Sequence, residues 1–187
     1  MTGDKTPRIK PSVLLLIVGK SGSGKTSIAN ELEHRFGLRQ LQSYTTRPPR
    51  SANEKGHIFV TPERFHSLDL IAYTKFNGYE YGATYDQLRN NEIYIVDVKG
   101  VKDVKAAKKP KGLRVLTLYL NENALTRYKR MRGRGDSVKQ AISRLWHDFW
   151  AFRGIKEIKP TYLKSPISVD ETARYIYAMY LAELYRE

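Results

Sequence analysis

A chain of 187 residues, 41% apolar and without cysteine, is long enough to bury about 70% of its unfolded surface in one domain, and it excludes disulfides, thiolate catalysis and cysteine zinc sites. Its 33 lysines and arginines against 19 aspartates and glutamates leave a net charge of +14, which favours anionic partners such as nucleotides, nucleic acid or acidic surfaces. The apolar run Val13 to Val18 is far too short to span a bilayer; the expectation is a chain with no membrane segment or signal peptide, at work in a reducing, cytoplasmic compartment.

In chain order, the first eleven residues read as a flexible polar lead-in. Val13 to Val18 then reads as a strand buried on both faces. The eight residues GKSGSGKT, Gly19 to Thr26, follow, and beyond them Ile28, Ala29, Leu32 and Phe36 recur at helical spacing until Gly37 stops the helix. Leu41 to Tyr44 reads as a second short strand, and Pro48 and Pro49 forbid regular structure after it. Thr61, Pro62 and Glu63 form a helix start, with the helix ending near Leu70. Ile71 to Phe76, Asn77-Gly78 and Tyr79 to Tyr81 give a hairpin signal.

Ile93 to Val98 and Leu113 to Leu120 are buried-type strands with a helix over about Val101 to Lys108 between them. A helix from Asn123 breaks at RGRGD, and the next runs from Ser137 to Phe152 with Ala141, Ile142, Leu145, Phe149 and Phe152 on its expected core stripe. Trp146 and Trp150, beside that stripe, are assigned to the core rather than to a base-stacking platform. Thr161 to Lys164 is a last short strand, and Ser168 with Glu171 caps an amphipathic C-terminal helix. Lys99, Lys102, Lys105, Lys108, Lys109 and Lys111 read as a solvated basic face. Strands alternating with helices predict an α/β fold, a doubly wound parallel sheet with its ligand at the strand carboxyl ends. Residues 47–84 form a small mixed insert, 1–46 with 85–187 the core, and 128–144 a helical lid.

The glycine-rich stretch matches G-x-x-x-x-G-K-[ST] between a strand and a helix. Glycines let the backbone aim N–H groups at phosphate oxygens, and the new helix adds its positive dipole end. Lys25 places a point charge at the β- and γ-phosphates, and the Thr26 hydroxyl is suited to Mg²⁺. The triphosphate site is expected to comprise Gly19, Ser21, Gly22, Ser23, Gly24, Lys25, Thr26 and Ser27. Arg47 and Arg50, three apart in a proline-stiffened loop, suit forked hydrogen bonding to a second phosphate. Asp97, at the end of a buried strand, could serve a Mg²⁺ shell or an acceptor, or simply cap the next helix. His34, His66 and His147 are expected to be structural or exposed.

The ordered set GKSGSGKT, SYTTRPPR, YEYGAT, IVDVKGV and RYKRMRGRGDS leading to Arg144 resembles the guanylate kinases from Val13 to the C-terminal helix. The resemblance implies ATP and Mg²⁺ as cofactors and transfer to a nucleoside monophosphate, GMP or dGMP first. It also implies that Ser43, Arg47, Arg50, His57, Tyr81, Thr84 and Asp97 surround the acceptor, with Thr26 and Asp97 near the metal. Arg130, Arg134 and Arg144, with Arg132 as a possible fourth, resemble lid arginines that act with Lys25 on the transferring group, and Gly133 and Gly135 would let the lid hinge.

Three positions depart from the family pattern. Ala72 stands where a glutamate accepts from guanine N1 and N2, Ala83 where a hydroxyl contacts the base, and His57 where a phosphate-binding tyrosine is expected. A shortened loop and lost glutamate also occur in ribose bisphosphate kinases, so ribose 1,5-bisphosphate or another nucleotide is the alternative acceptor. A non-catalytic guanylate-kinase-like binding module is the alternative of another class, and nucleic acid binding would rest on charge alone.

Overall fold

The structure, a computed structural model, describes residues 13–49, 54, 56–76, 78–107, 112–164 and 168–186. The lead-in, Arg50, Asn77, Lys108, Lys109 and Lys111 lie outside the described residues. The first half of the chain runs β1 (Val13–Gly19), α1 (Lys25–Phe36), β2 (Ser43–Thr45), β3 (His57–Phe59), α2 (Pro62–His66), β4 (Leu70–Phe76), β5 (Tyr79–Thr84) and α3 (Tyr85–Asn90). The second half runs β6 (Ile93–Ile95), α4 (Val98–Ala106), β7 (Arg114–Asn121), α5 (Ala124–Gly133), α6 (Val138–Ala151), a 3-10 turn (Ile155–Ile158), β8 (Thr161–Lys164) and α7 (Val169–Leu184).

Seven consecutive buried residues make β1 the centre of a parallel sheet in the order β6-β1-β7-β8. Side chains alternate along a strand, so β1 splits two cores between its faces. Val13, Leu15 and Ile17 meet Ile28, Ala29 and Leu32 of α1 and Ala173, Ile176 and Tyr180 of α7. Leu14, Leu16 and Val18 meet Val98, Val101 and Val104 of α4 together with Phe152 and Ile158. Each fully buried leucine or isoleucine contributes about 1.5–3 kcal/mol, so β1, which serves both cores, is the most costly strand to disturb. Helices on both faces leave the strand carboxyl ends as the open edge of the sheet.

A second sheet, in the order β3-β2-β5-β4, stands beside the first; β2 and β3 run parallel, while β5 is antiparallel to both β2 and β4. This places the second strand differently from the sequence expectation. Gln40 bridges Ile93, and the Leu41 N–H donates to the Ile93 carbonyl, but the chain then leaves β6 and pairs Ser43 to Thr45 with β3 and β5. The insert's sheet therefore begins ahead of Arg47. β3 was not foreseen because a three-residue strand has no readable period, and α2 stops at His66, short of Leu70.

Side-chain caps set several boundaries. Thr61 accepts from Arg64 N–H with Pro62 in the first turn, Ser137 and Gln140 form a capping box, and the Ser168 hydroxyl accepts from Glu171 N–H. Thr84 and Gln87 form another, which starts the unforeseen α3. Asp97 accepts from Gly100 N–H and so starts α4 at Val98, before the expected Val101.

The largest correction concerns α6. Its buried residues are Ala141 and Asp148, whereas Ile142 (56%), Trp146 (65%), Phe149 (54%) and Trp150 (47%) are exposed. Of the expected stripe Ala141 and Phe152 are buried and Leu145 is half-buried, but Ile142 and Phe149 face out, and the inner side of the helix carries a charged pair, Asp148 with Arg127 of α5. Outside, Trp146, Phe149 and Trp150 pack on one another, and Arg153 lies over the Trp150 ring at 3.7 Å. The basic face on α4 holds as far as it is described: Lys99 pairs with Asp103, Lys102 with Glu157, and Lys105 donates to the Ile158 carbonyl.

Candidate active site

Where β1 ends, the turn to α1 is closed by Ser23 N–H donating to the Lys20 carbonyl. Gly24 is the N-cap at φ 95° and supplies no side-chain acceptor, and no acidic residue sits in the first turn of α1. The unmet N–H groups and positive dipole end of the helix are thus left for an anion. Gly22, at φ 76°, packs so tightly on α5 that a Cβ would lie 2.7 Å from the Arg127 carbonyl oxygen. Any larger residue would push the loop off the helix.

Four successive carbonyls of the turn are held by cations. Lys25 Nζ donates to the oxygens of Gly19 at 2.6 Å and Lys20 at 3.2 Å, Arg127 Nη1 to Ser21 at 3.3 Å, and Arg130 Nη1 to Gly22 at 3.4 Å. A peptide points its N–H opposite its C=O; of the amides on these four peptides Ser21 N–H is spent on Asp148 and Ser23 N–H on the Lys20 carbonyl, so a ligand would draw on the others and on the first turn of α1. Thr26 and Ser27 are exposed on the first turn of α1, and the buried Ser23 Oγ has no hydrogen-bond partner.

Burial lowers the Lys25 pKa to about 8, with Arg134 and Arg127 pushing the same way and Asp148 opposing them. Bound phosphates would favour the ammonium, so the lysine pKa of the complex lies above that of the free chain. A triphosphate held at Lys25 would then bind at full strength below pH 8 and more weakly as pH rises through it. Titration calorimetry should show weakening affinity and net proton uptake between pH 8 and 9; a flat affinity over that range would contradict this.

A cavity of about 550 Å³ lies between the two sheets. Gly19, Ser21 and Lys25 line its loop side, and Ser43, His57, Ala72, Thr74, Tyr81, Asp97 and Lys99 are among the residues opposite. The structure thus brings Ser43, His57 and Tyr81 to one wall: Ser43 Oγ is 3.0 Å from His57 Nδ1, and the His57 and Tyr81 rings meet edge to face. Arg47 is buried and its guanidinium is gripped by Glu54, at 2.7 and 3.2 Å, while it lies over the Phe59 ring. Its Nε is buried without a hydrogen-bond partner, a donor still to be used.

Two expected acceptor residues are otherwise engaged. Asp97 lines the cavity, but Oδ1 accepts from Gly100 N–H at 2.7 Å and Oδ2 from the Thr74 hydroxyl at 3.0 Å, which makes it a helix cap first. Thr84 caps α3 and lies against a separate groove with Tyr85 and Gln87. Among the described residues no cluster of three or more histidines, aspartates and glutamates could hold a metal.

Ala72 and Ala83 are direct cross-strand partners in the β4–β5 hairpin, both buried. The two positions that depart from the guanine-reading pattern are therefore one site, a pair of methyl groups. Glu80, the carboxylate of β5, is on the other face of that strand from Ala83, where it accepts from the Tyr73 hydroxyl and pairs with His66. His147, expected to be merely structural or exposed, is exposed at the cavity wall.

The expected lid arginines lie on and between α5 and α6. Arg134 Nη2 and Arg144 Nε both reach Asp136 Oδ2, at 3.2 and 3.4 Å, and Arg132 donates to the Asp136 carbonyl. Arg130 pairs with the nearly buried Glu122 at 3.1 Å as well as with the loop. Sequence reading missed Arg127 and Asp148. A signal was present: Asp148 is the lone acid on an otherwise aromatic and basic helix, WHDFW, and a carboxylate in such company is either paired or functional.

The chain matches the protein-family description "Guanylate kinase" over residues 11–148. It is 33% identical over 151 residues to the guanylate kinase of Anaeromyxobacter dehalogenans, covering 72% of this chain and 64% of that one. To the guanylate kinase of Koribacter versatilis it is 31% identical over 142 residues, 69% of this chain and 60% of that one. This chain therefore spans under two thirds of the length of those two relatives. The fold is that of the crystal structure of guanylate kinase from Anaplasma phagocytophilum, with a TM-score of 0.63 over 95% of this chain and 90% of the other, at 21% identity.

Proposed function

Given that this chain belongs to the guanylate kinase family, we propose that it transfers the γ-phosphoryl group of ATP to the phosphate of a nucleoside monophosphate, GMP or dGMP first, forming the diphosphate. What carries the reading is the 550 Å³ cavity that sets an intact phosphate loop on one side against a wall containing Ser43, His57 and Tyr81 on the other. No protein nucleophile is needed: an oxygen of the acceptor phosphate attacks the γ-phosphorus as the bond to the β,γ-bridging oxygen breaks, and ADP leaves. Catalysis is then positioning plus neutralisation of charge.

The loop amides and Lys25 hold the donor. Arg47, Arg50 and Tyr81 hold the acceptor phosphate, with Ser43 and His57 beside it, and the phosphate takes over the Arg47 donors now on Glu54. Arg130, Arg134 and Arg144 close from above. Magnesium binds through one or two protein oxygens plus phosphates and waters, and the exposed Thr26 hydroxyl at the mouth of the loop fits that donor set. Bound there, the ion would neutralise charge on the β- and γ-oxygens. Asp97 is its outer neighbour at most, since both its oxygens are engaged. Among the described residues no helix is long and apolar enough to cross a membrane, and a cytoplasmic site of action is part of this proposal.

Incubation with Mg-ATP and a panel of nucleoside and deoxynucleoside monophosphates, following ADP, tests the reading; turnover no higher than the ATPase background with every acceptor would sink it. The Ala72–Ala83 methyl pair favours a second reading, an acceptor not read through guanine, so ribose 1,5-bisphosphate belongs in the panel. Ala72→Glu restores a carboxylate at the hairpin. It should raise kcat/KM for GMP relative to AMP on the order of tenfold or more, because paired hydrogen bonds to a base discriminate far better than apolar contact. An unchanged ratio would show that the base does not reach β4.

A further inference from the structure

Asp148 reaches from α6 into the phosphate loop and meets Ser21 twice, its Oδ2 accepting from the Ser21 N–H at 2.8 Å and its Oδ1 from the Ser21 hydroxyl at 3.2 Å. Arg127, from α5, binds Asp148 Oδ2 at 2.8 Å and the Ser21 carbonyl at 3.3 Å through the same Nη1. The Ser21 residue is thus held by its N–H, its hydroxyl and its C=O. Both ionic side chains are about 95% buried.

A buried ion pair is costly to desolvate, and replacing both partners by apolar groups is often neutral or stabilising. Stability alone is a weak reason for this pair. Its geometry gives a better one. The pair fastens one loop residue to both arms that carry Arg130, Arg134 and Arg144, and the same α5 turn packs against Gly22.

We infer that Arg127 and Asp148 are positioning residues that hold the Ser21 peptide so that the following loop amides face the donor phosphates, and that they fix the base of the lid arms to the loop. Asp148 lies at the cavity wall with both oxygens already engaged by Ser21 and Arg127, so its part is to position the loop rather than to bind the transferring group. Closure of the lid takes place beyond this anchor, in the segment from Arg130 to Arg144. Freed of the pair, the Ser21 peptide rotates and the loop loses its preorganised amides; a misplacement of about 1 Å can cost on the order of 10²-fold in rate.

The inference rests on the loop's binding ATP, so the unsubstituted chain is measured first by calorimetry; absence of ATP binding there would overturn that reading itself. The double variant Arg127→Met/Asp148→Ala is then compared for thermal unfolding, ATP Kd, kcat and acceptor KM. The expected result is a Tm at or above that of the unsubstituted chain, an ATP Kd raised by about tenfold or more, a lowered kcat and an unchanged acceptor KM. A double variant that retains its Tm, ATP Kd and kcat would overturn the inference, because the pair would then be packing alone. Should the double variant fail to fold, the isosteric Asp148→Asn decides. It keeps an acceptor for Ser21 but loses the charge that holds Arg127, and weakened ATP binding with acceptor KM unchanged is expected. Equal weakening towards donor and acceptor would overturn the inference.

Discussion

Lys25→Ala is expected to lower kcat by at least about 10² to 10³-fold, the usual loss when a preorganised donor to developing charge is removed. The lysine does two things that no neighbour can take over. Its ammonium lies in the cavity wall at the loop, where the charge of the transferring group is proposed to develop, and it bonds the carbonyls of Gly19 and Lys20. Removing it frees those carbonyls to turn inward against phosphate as well as deleting a charge. Arg47→Ala is the contrasting variant, at a buried arginine beside Tyr81 and proposed for the acceptor. It should raise the acceptor KM while leaving ATP affinity close to that of the unsubstituted chain. Steady-state kinetics with each substrate varied in turn separates the two, and an equal loss of ATP affinity in both variants would contradict the division between donor and acceptor sides.

Arg134→Ala is expected to be comparably severe, about 10³-fold in kcat, because an arginine brought to the transferring phosphoryl group is worth 10³ to 10⁵. Arg134 and Arg144 converge on the single carboxylate of Asp136, a built-in anion that keeps two cations together before an anionic ligand arrives. Arg134 also lies close enough to Lys25 to lower its pKa. The arginine thus stands near Lys25 with its own charge held on Asp136. Single-turnover rates at saturating ATP and acceptor check this, with ATP Kd measured in parallel. A kcat that survives substitution would reduce Arg134 and its ion pair to surface electrostatics, which contribute little to stability.

Much of this arrangement could be read from the sequence because its signals are local. The run Val13 to Val18 announces a strand buried on both faces, GKSGSGKT its turn, Pro62 the cap at Thr61 before it, and Glu171 the cap at Ser168 three residues earlier. Ala72 and Ala83 fall opposite each other on the hairpin, a pairing that the Asn77-Gly78 turn signal already implied. What could not be read depends on partners distant in sequence. β2 joins the second sheet because β3 and β5 offer longer pairing than β6. The stripe on α6 held at Ala141 and Phe152 and failed at Ile142 and Phe149, because a helix apolar around much of its surface has no unique inner face; Asp148 turns inward to pair with Arg127, 21 residues away. Asp97 and Thr84 carried side chains suited to a ligand and spend them on helix caps, a use that local sequence does not distinguish from binding.

Phosphorus NMR of the chain with Mg-ATP and GMP tests the central claim most directly, since it identifies the product as well as the loss of ATP. Direct transfer predicts that GMP and ATP signals fall together while the β-phosphate signals of GDP and ADP rise in equal amounts, with no inorganic phosphate beyond the background. ATP loss matched only by inorganic phosphate, with GMP and every other panel acceptor untouched, would contradict it.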